Sequence, residues 1–76
     1  MAKYWVEHWV WEDGRGWQIN PTIDNIDELP TEDELRDGYE GYYKAGDEIR
    51  VYGYDGRGAK KLYAKYIAPS DYIAAD

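Results

Sequence analysis

Few residues in this chain have the chemistry of a catalytic nucleophile or a general base. The sequence contains one His (His8), one Ser (Ser70) and no Cys. A Ser–His–Asp triad would have to use Ser70, which lies in the last stretch of the sequence, so nothing selects a nucleophile. The sixteen acidic residues could supply an acid–base pair, but their spacing favours no two of them. We therefore expect no enzymatic activity, no catalytic residues and no cofactor.

Two short motifs resemble ligand-binding loops only in part. Asp24-Asn25-Ile26-Asp27-Glu28 resembles the start of an EF-hand loop, but it lacks the Gly at the sixth position and a preceding helix. Asp-Gly-Arg-Gly occurs twice and is typical of a hairpin turn, not of a phosphate-binding loop between a strand and a helix. We therefore expect no metal site.

Acidic residues concentrate in the middle of the chain. Residues 24–48 hold ten carboxylates against Arg36 and Lys44, a formal balance of −8. Carboxylates spaced along a surface can imitate nucleic-acid phosphates and occupy the basic groove of another protein. The alternative is a solvated helix with solubilising loops, because runs of charged residues usually remain exposed to solvent. The residues that we expect to contact a partner are Glu32, Asp33, Glu34, Asp37, Tyr39, Tyr42 and Tyr43.

The chain is rich in aromatic residues, with four Trp and nine Tyr but no Phe. One interpretation is a platform on which nucleotide bases or sugar rings stack. The other, which we favour, is that the Trp side chains form the core, because Leu, Ile and Val together number only 12. The residues that a platform would use are Trp5, Trp9, Trp11, Tyr52, Tyr54 and Tyr63.

A third candidate is the basic segment near the end of the chain. Residues 49–67 carry five basic residues against Asp55, a balance of +4. Arg57, Lys60, Lys61 and Lys65 could contact an anionic ligand, but a solvated strand face is the simpler interpretation.

Two β-hairpins should position these residues, one turning at each Asp-Gly-Arg-Gly. A four-residue loop at residues 55–58 would pair Val51 with Leu62 and Glu48 with Lys65, giving one aliphatic face and one charged face. The same loop at residues 13–16 would pair Val10 with Ile19. The two hairpins could be a duplication, or similar turn chemistry could have arisen twice.

The segment between the hairpins should contain one short helix. Thr31 and Glu34 form a capping-box pattern, which predicts a helix over residues 32–37 anchored by Leu35. Pro21 should end the second strand, because Pro cannot continue a central ladder. Residues 70–76 should form a last helical turn or a frayed end.

Together these elements predict a single small domain over residues 1–76, of the α+β class and mostly β. We expect an antiparallel sheet of four or five strands built from two hairpins, with the acidic helix in the connection. The alternative is an SH3-like open barrel, because the Gly-Asp-x-Ile-x-Val pattern that ends at Val51 is similar to the sequence at the start of strands in such barrels.

Charge and hydropathy limit the kinds of partner. A net charge of −7 argues against direct binding of nucleic acid, and the absence of a long apolar stretch predicts a cytoplasmic protein that does not cross a membrane. Our first hypothesis is a small acidic inhibitor or adaptor that docks on a basic, nucleic-acid-binding protein, as some phage counter-defence proteins do. The alternatives are a nucleotide- or sugar-binding module and a structural subunit of a homo-oligomer, for which a homodimer is one possibility.

Overall fold

The computed structural model describes residues 2–73, which form four strands and one helix. The elements are β1 (Tyr4–Glu12), β2 (Gly16–Ile26), α1 (Glu32–Gly38), β3 (Glu48–Tyr54) and β4 (Lys60–Ile67). The strands make one antiparallel sheet in the order β2-β1-β3-β4. The prediction of a mostly β, α+β fold is confirmed. Because β2 and β4 lie at opposite edges, the sheet is open, and the barrel alternative is not confirmed.

The core lies between one side of this sheet, which we call the helix side, and the segments that cover it. The fully buried apolar residues are Val6, Leu35, Tyr43, Ile49, Val51 and Ala68. Tyr43 is the only aromatic residue among them, so the prediction of a Trp core is wrong. The reason is strand alternation, since Trp5 and Trp9 flank Val6 and His8 in β1 and therefore point to the other side of the sheet.

The helix α1 forms where the capping box predicts it. The Glu34 backbone N–H donates to Thr31 Oγ1 at 3.2 Å, and the Thr31 N–H donates to Glu34 Oε1 at 3.0 Å. Leu35 is its one buried residue, and it enters the core beneath the sheet. The helix prediction is therefore confirmed to within one residue at its end.

The register of the second hairpin differs from the predicted one. Val51 pairs with Ala64 and not with Leu62, because the loop is longer and an extra residue interrupts β4 opposite Val51 and Tyr52. The Asp55 carboxylate accepts the N–H groups of Arg57 and Ala59, at 2.8 and 3.0 Å. This capping lengthens the loop by one residue beyond the four that the sequence predicts.

The first hairpin turns more tightly, although its four turn residues are the same. Glu12 pairs with Gly16 and Val10 pairs with Gln18, which leaves residues 13–15 as the loop. Gly14 and Gly16 have φ values of 83° and 77°, in a region that favours Gly. The predicted pairing of Val10 with Ile19 is wrong by one residue, and identical turn residues form two different loops.

Pro21 does not end β2, contrary to our expectation. The register of β1 and β2 shifts between Glu7 and Trp9, and Pro21 lies in the irregular stretch opposite His8. Because β2 is an edge strand with a bulge at this point, the missing Pro N–H interrupts no ladder bond, and the strand continues to Ile26.

The last turn within the described residues is closed by a hydrogen bond from the Tyr72 N–H to the Pro69 carbonyl, at 3.0 Å. The expected helical turn or frayed end at residues 70–76 lies partly outside them, since residues 74–76 are not described. Within residues 2–73 no helix has the length and apolar character needed to cross a membrane.

Candidate functional site

The acidic residues collect on the solvent side of the layer that covers the helix side. We call residues 24–40 the acidic segment; it runs from the end of β2 through α1. It holds eight carboxylates and one base, Arg36, so its formal balance of −7 equals the net charge of the whole chain. All eight carboxylates are exposed. One side of the molecule therefore carries a strongly negative surface.

Internal contacts already use some of these carboxylates. Arg36 donates from Nε to Asp37 Oδ1 at 2.9 Å and lies 3.4 Å from Asp33 Oδ1. The hydrogen bond from Arg36 holds the pKa of Asp37 below its ordinary value. Glu34 accepts the Thr31 N–H in the capping box. Glu32 makes none of these contacts and Asp33 makes only the longest of them, so these two carboxylates are better suited to meet a partner than Glu34 and Asp37.

The three tyrosines predicted to contact a partner have different environments. Tyr43 is 2% exposed and donates its hydroxyl to the Arg36 carbonyl at 2.8 Å, so it belongs to the core and the prediction of a contact role is wrong. Tyr39 is half-buried and donates to Asp24 Oδ2 at 2.9 Å. Burial and this hydrogen bond raise the pKa of Tyr39 to about 12. Tyr42 is exposed, with its ring 6.2 Å from that of Tyr39.

A cleft of about 350 Å³ opens between the end of β2 and α1. Asp24, Glu28 and Glu34 supply its carboxylates, and Ile26 and Leu29 are among its apolar walls. The lining therefore combines negative charge with apolar surface. It is complementary to a Lys or Arg side chain, which has an apolar stem and a positively charged end. The sequence showed Asp24 and Glu28 only in a charge run and in an incomplete EF-hand motif, because the cleft is formed by the end of β2 together with α1.

The other side of the sheet, which we call the open face, carries the Trp side chains. No helix or strand among residues 2–73 packs on it. Five of the six residues predicted for a platform lie on this face: Trp5, Trp9, Trp11, Tyr52 and Tyr54. Tyr63 is not among them. It packs edge-on against Tyr4 on the helix side, close to Gly53. The prediction that Tyr63 belongs to the platform is therefore wrong.

Glu7 lies at the centre of the open face and is only 4% exposed. Its carboxylate accepts the indole N–H of Trp5 at 2.7 Å and that of Trp9 at 3.0 Å. Lys60 Nζ approaches the same carboxylate to 3.2 Å. A buried carboxylate with three donors orients two indole rings at once, which the sequence pattern did not reveal.

Arg50 is a second organising residue of the open face. Its guanidinium lies 4.2 Å from the centre of the Trp9 ring and 5.2 Å from that of Trp17. Its Nε donates to Glu48 Oε1 at 2.9 Å. Lys60 Nζ also lies 4.2 Å from the centre of the Tyr52 ring. The cations of this face are therefore already engaged with rings and carboxylates. Arg50 and Trp17 were missed because they meet only across strands. Glu7 lies two residues from both Trp5 and Trp9, so strand alternation already places these three side chains on one face.

The basic residues of the second hairpin do not form one cluster. Lys60 and Lys65 lie on the open face, where Lys65 Nζ is 4.0 Å from Glu48 Oε1. Lys61 lies over the Tyr63 ring on the helix side, and Arg57 is in the exposed loop. This distribution favours the solvated interpretation over an anion site.

His8 is buried and both of its ring nitrogens have partners. Nε2 lies 2.8 Å from Asp47 Oδ2, and Nδ1 lies 3.3 Å from Asn20 Nδ2. An Nε2–H tautomer fits both contacts, donating to Asp47 and accepting from Asn20. Asp47 also accepts the Lys44 N–H, which ties β1 to the turn before β3. Across residues 2–73 no three potential metal ligands come together.

Comparison with known proteins adds no functional assignment. No protein-family model, no curated protein and no solved structure matches this chain.

Proposed function

We propose that this chain is a non-enzymatic acidic binding protein that docks on a basic surface of another protein, as an inhibitor or an adaptor. The observation that supports the proposal is the concentration of the chain's entire net charge of −7 in the exposed acidic segment. A surface of this kind speeds association with a basic partner and disfavours direct contact with nucleic acid.

The docking surface combines α1 with the cleft beside it. Glu32 and Asp33 in the first turn of α1 present carboxylates that can pair with Arg or Lys, as nucleic-acid phosphates do. The cleft offers Asp24 and Glu28 around an apolar wall at Leu29, which suits one long basic side chain of the partner. If the partner's basic surface is its nucleic-acid-binding groove, docking would block that groove and the chain would act as an inhibitor. If the basic surface lies elsewhere on the partner, docking would recruit the partner and the chain would act as an adaptor.

The proposal is tested by competition. The probes are basic nucleic-acid-binding proteins, each loaded with a fluorescently labelled duplex whose anisotropy falls when the duplex is displaced. We expect the wild-type chain to displace the duplex from a member of this panel, and its affinity to fall steeply with added salt. Glu32→Lys with Asp33→Lys should weaken displacement at least tenfold. These positions leave Glu34, and with it the capping box, intact.

The matched control reverses two exposed carboxylates outside the acidic segment, Asp13→Lys with Asp71→Lys, and changes the net charge by the same amount. We expect this control to bind almost as the wild type does. Equal losses in the two double variants would show that only total charge matters. Complexes that form without displacing the duplex would favour an adaptor over an inhibitor, and affinity independent of salt would contradict the proposal.

The small-ligand alternative remains a prediction that the geometry favours less. A nucleotide or sugar would need free ring faces, but Arg50 covers Trp9 and Tyr52 stacks on Trp5 with ring centres 6.4 Å apart. Trp11 and Tyr54 are the more exposed rings, and they lie near opposite ends of the face.

A further inference from the structure

The open face carries most of the large apolar side chains that the described residues leave exposed. Five of the eight lie there, with exposed fractions from 41% (Leu62) to 66% (Tyr54). Cross-strand pairing assigns them to this face: Ile19 is opposite Trp9, Leu62 opposite Tyr52 and Ile67 opposite Glu48. The five residues are Trp11, Ile19, Tyr54, Leu62 and Ile67. So many exposed apolar side chains on one side of a small protein indicate an interaction surface, although charged residues lie between them.

The core on the helix side is small for the length of the chain. Among residues 2–73 its buried apolar residues number six, and all four Trp lie outside it. A domain of this size buries a limited share of its surface, and small domains without disulfides or metals often gain stability by association. Covering the open face would bury the largest apolar side chains in the sequence.

The charges of the open face are nearly balanced within the face itself. Glu7 and Glu48 neutralise two of the three cations, which are Arg50, Lys60 and Lys65. An anionic partner such as nucleic acid would find almost no net positive charge here. A second copy of the same face would meet a surface that is similarly balanced, whereas association through the acidic segment would bring together two charges of −7.

The dimensions of the molecule also fit self-association through this face. The described residues extend over 37 × 29 × 16 Å, so the molecule is broad in two directions and thin in the third. A sheet of four strands with a longest strand of 11 residues offers a face of the same order as the roughly 800 Å² that each partner contributes to a standard interface. Two sheets pack face to face at a spacing of about 10 Å when side chains interdigitate.

From these observations we infer that the open face is the interface of a homodimer, in which a second copy packs sheet against sheet about a twofold axis. Such an interface is isologous, so each residue of the patch meets the same patch on the partner. The helix sides then point outward in opposite directions. The dimer carries an acidic segment at each end, and the inference does not depend on what those segments bind.

The test is the mass of the full chain by analytical ultracentrifugation over a wide concentration range. We expect the wild type to shift from 8.9 kDa toward about 18 kDa as its concentration rises. Tyr54→Glu with Leu62→Glu should keep the chain monomeric. Its matched control is Tyr42→Glu with Leu29→Glu, which places the same charges at residues of 50% and 46% exposure away from the open face and should dimerise as the wild type does.

Circular dichroism establishes that both variants keep the sheet. If the open-face double variant loses it, Ile67→Glu at the end of β4 takes its place. A wild type that remains monomeric at millimolar concentration overturns the inference. So does a dimer that the control disrupts as strongly as the open-face variant. A monomer whose Trp emission is quenched by a nucleotide or an oligosaccharide would instead assign the open face to a small ligand.

Discussion

Glu7 shows how one side chain can organise a whole face of a sheet. The carboxylate is buried although it lies on the uncovered side, because the rings of Trp5 and Trp9 lean over it and donate their N–H groups to it. Lys60 completes the neutralisation. Replacing this enclosed carboxylate should destabilise the fold, because its three hydrogen-bond donors would all lose their charged acceptor.

We therefore predict that Glu7→Gln lowers the free energy of unfolding by about 2–3 kcal/mol, since a neutral amide replaces the charged acceptor and turns N–H groups toward other donors. Urea unfolding followed by Trp fluorescence measures the change. Glu12→Gln is the control, because Glu12 pairs with Arg15 at the surface at 3.3 Å and should cost less than about 0.5 kcal/mol. Similar losses in the two variants would mean that Glu7 is not an organising residue.

At the scale of elements, the two hairpins differ in what their first Asp does. Asp55 accepts two backbone N–H groups of its loop, whereas Asp13 accepts the indole N–H of Trp11 at 3.3 Å. The hydrogen bonds from Ala59 and Arg57 hold the pKa of Asp55 below its ordinary value of 3.8. The stabilisation is therefore fully present above pH 3.8 and is lost as the pH falls through the lower pKa of the folded state.

We predict that Asp55→Ala lowers the melting temperature at neutral pH, and that the difference from the wild type shrinks in acid below pH 3.8. Thermal unfolding followed by circular dichroism at a series of pH values measures both effects. Asp13→Ala should cause a smaller loss at neutral pH. A difference between wild type and Asp55→Ala that stays constant down to pH 2 would exclude the ionised carboxylate as the capping group.

The helix α1 offers a second test at this scale. The Thr31 hydroxyl accepts the Glu34 N–H, and its loss should cost about 1 kcal/mol in Thr31→Ala. Thr31→Ser, which keeps the acceptor, should cost much less. Equal losses in the two variants, measured by urea unfolding, would show that the methyl group and not the cap contributes the stability.

At the scale of the whole molecule, the sheet separates two surfaces of different character. The helix side carries the acidic segment over a small apolar core, and the open face carries rings, aliphatic side chains and balanced charges. The proposed docking surface and the proposed dimer interface therefore do not compete for the same residues. A dimer would present two docking surfaces, and linking two sites raises the avidity for a partner with repeated basic sites.

We predict that the melting temperature of the wild type rises with protein concentration, because dissociation accompanies unfolding. A tenfold increase adds about 1.4 kcal/mol per dimer, or about 0.7 kcal/mol per protomer. In a domain of this size that corresponds to roughly 3–6 °C. Calorimetry at two concentrations measures the shift, and Tyr54→Glu with Leu62→Glu should abolish it. A shift that persists in this variant would place the interface elsewhere.

Local chemistry in the sequence was enough to predict several features. These features depend on residues a few positions apart: the capping box at Thr31 and Glu34, the single anchor at Leu35 and the two turns. Short-range hydrogen bonding and strand alternation therefore determine them. The acidic segment is likewise a property of composition. These features yielded the α+β class, the two hairpins and the location of the helix.

Tertiary structure decided which surface each residue occupies. The loop capped by Asp55 and the bulge beside Tyr52 moved the register of β3 and β4, and a shift of one residue exchanges the faces of a strand. Tyr43 became core and the Trp side chains did not, because only the helix side of the sheet receives a covering layer. The cleft at Asp24 and the contact of Lys60 with Glu7 depend on segments distant in sequence, so they exist only once the sheet has formed.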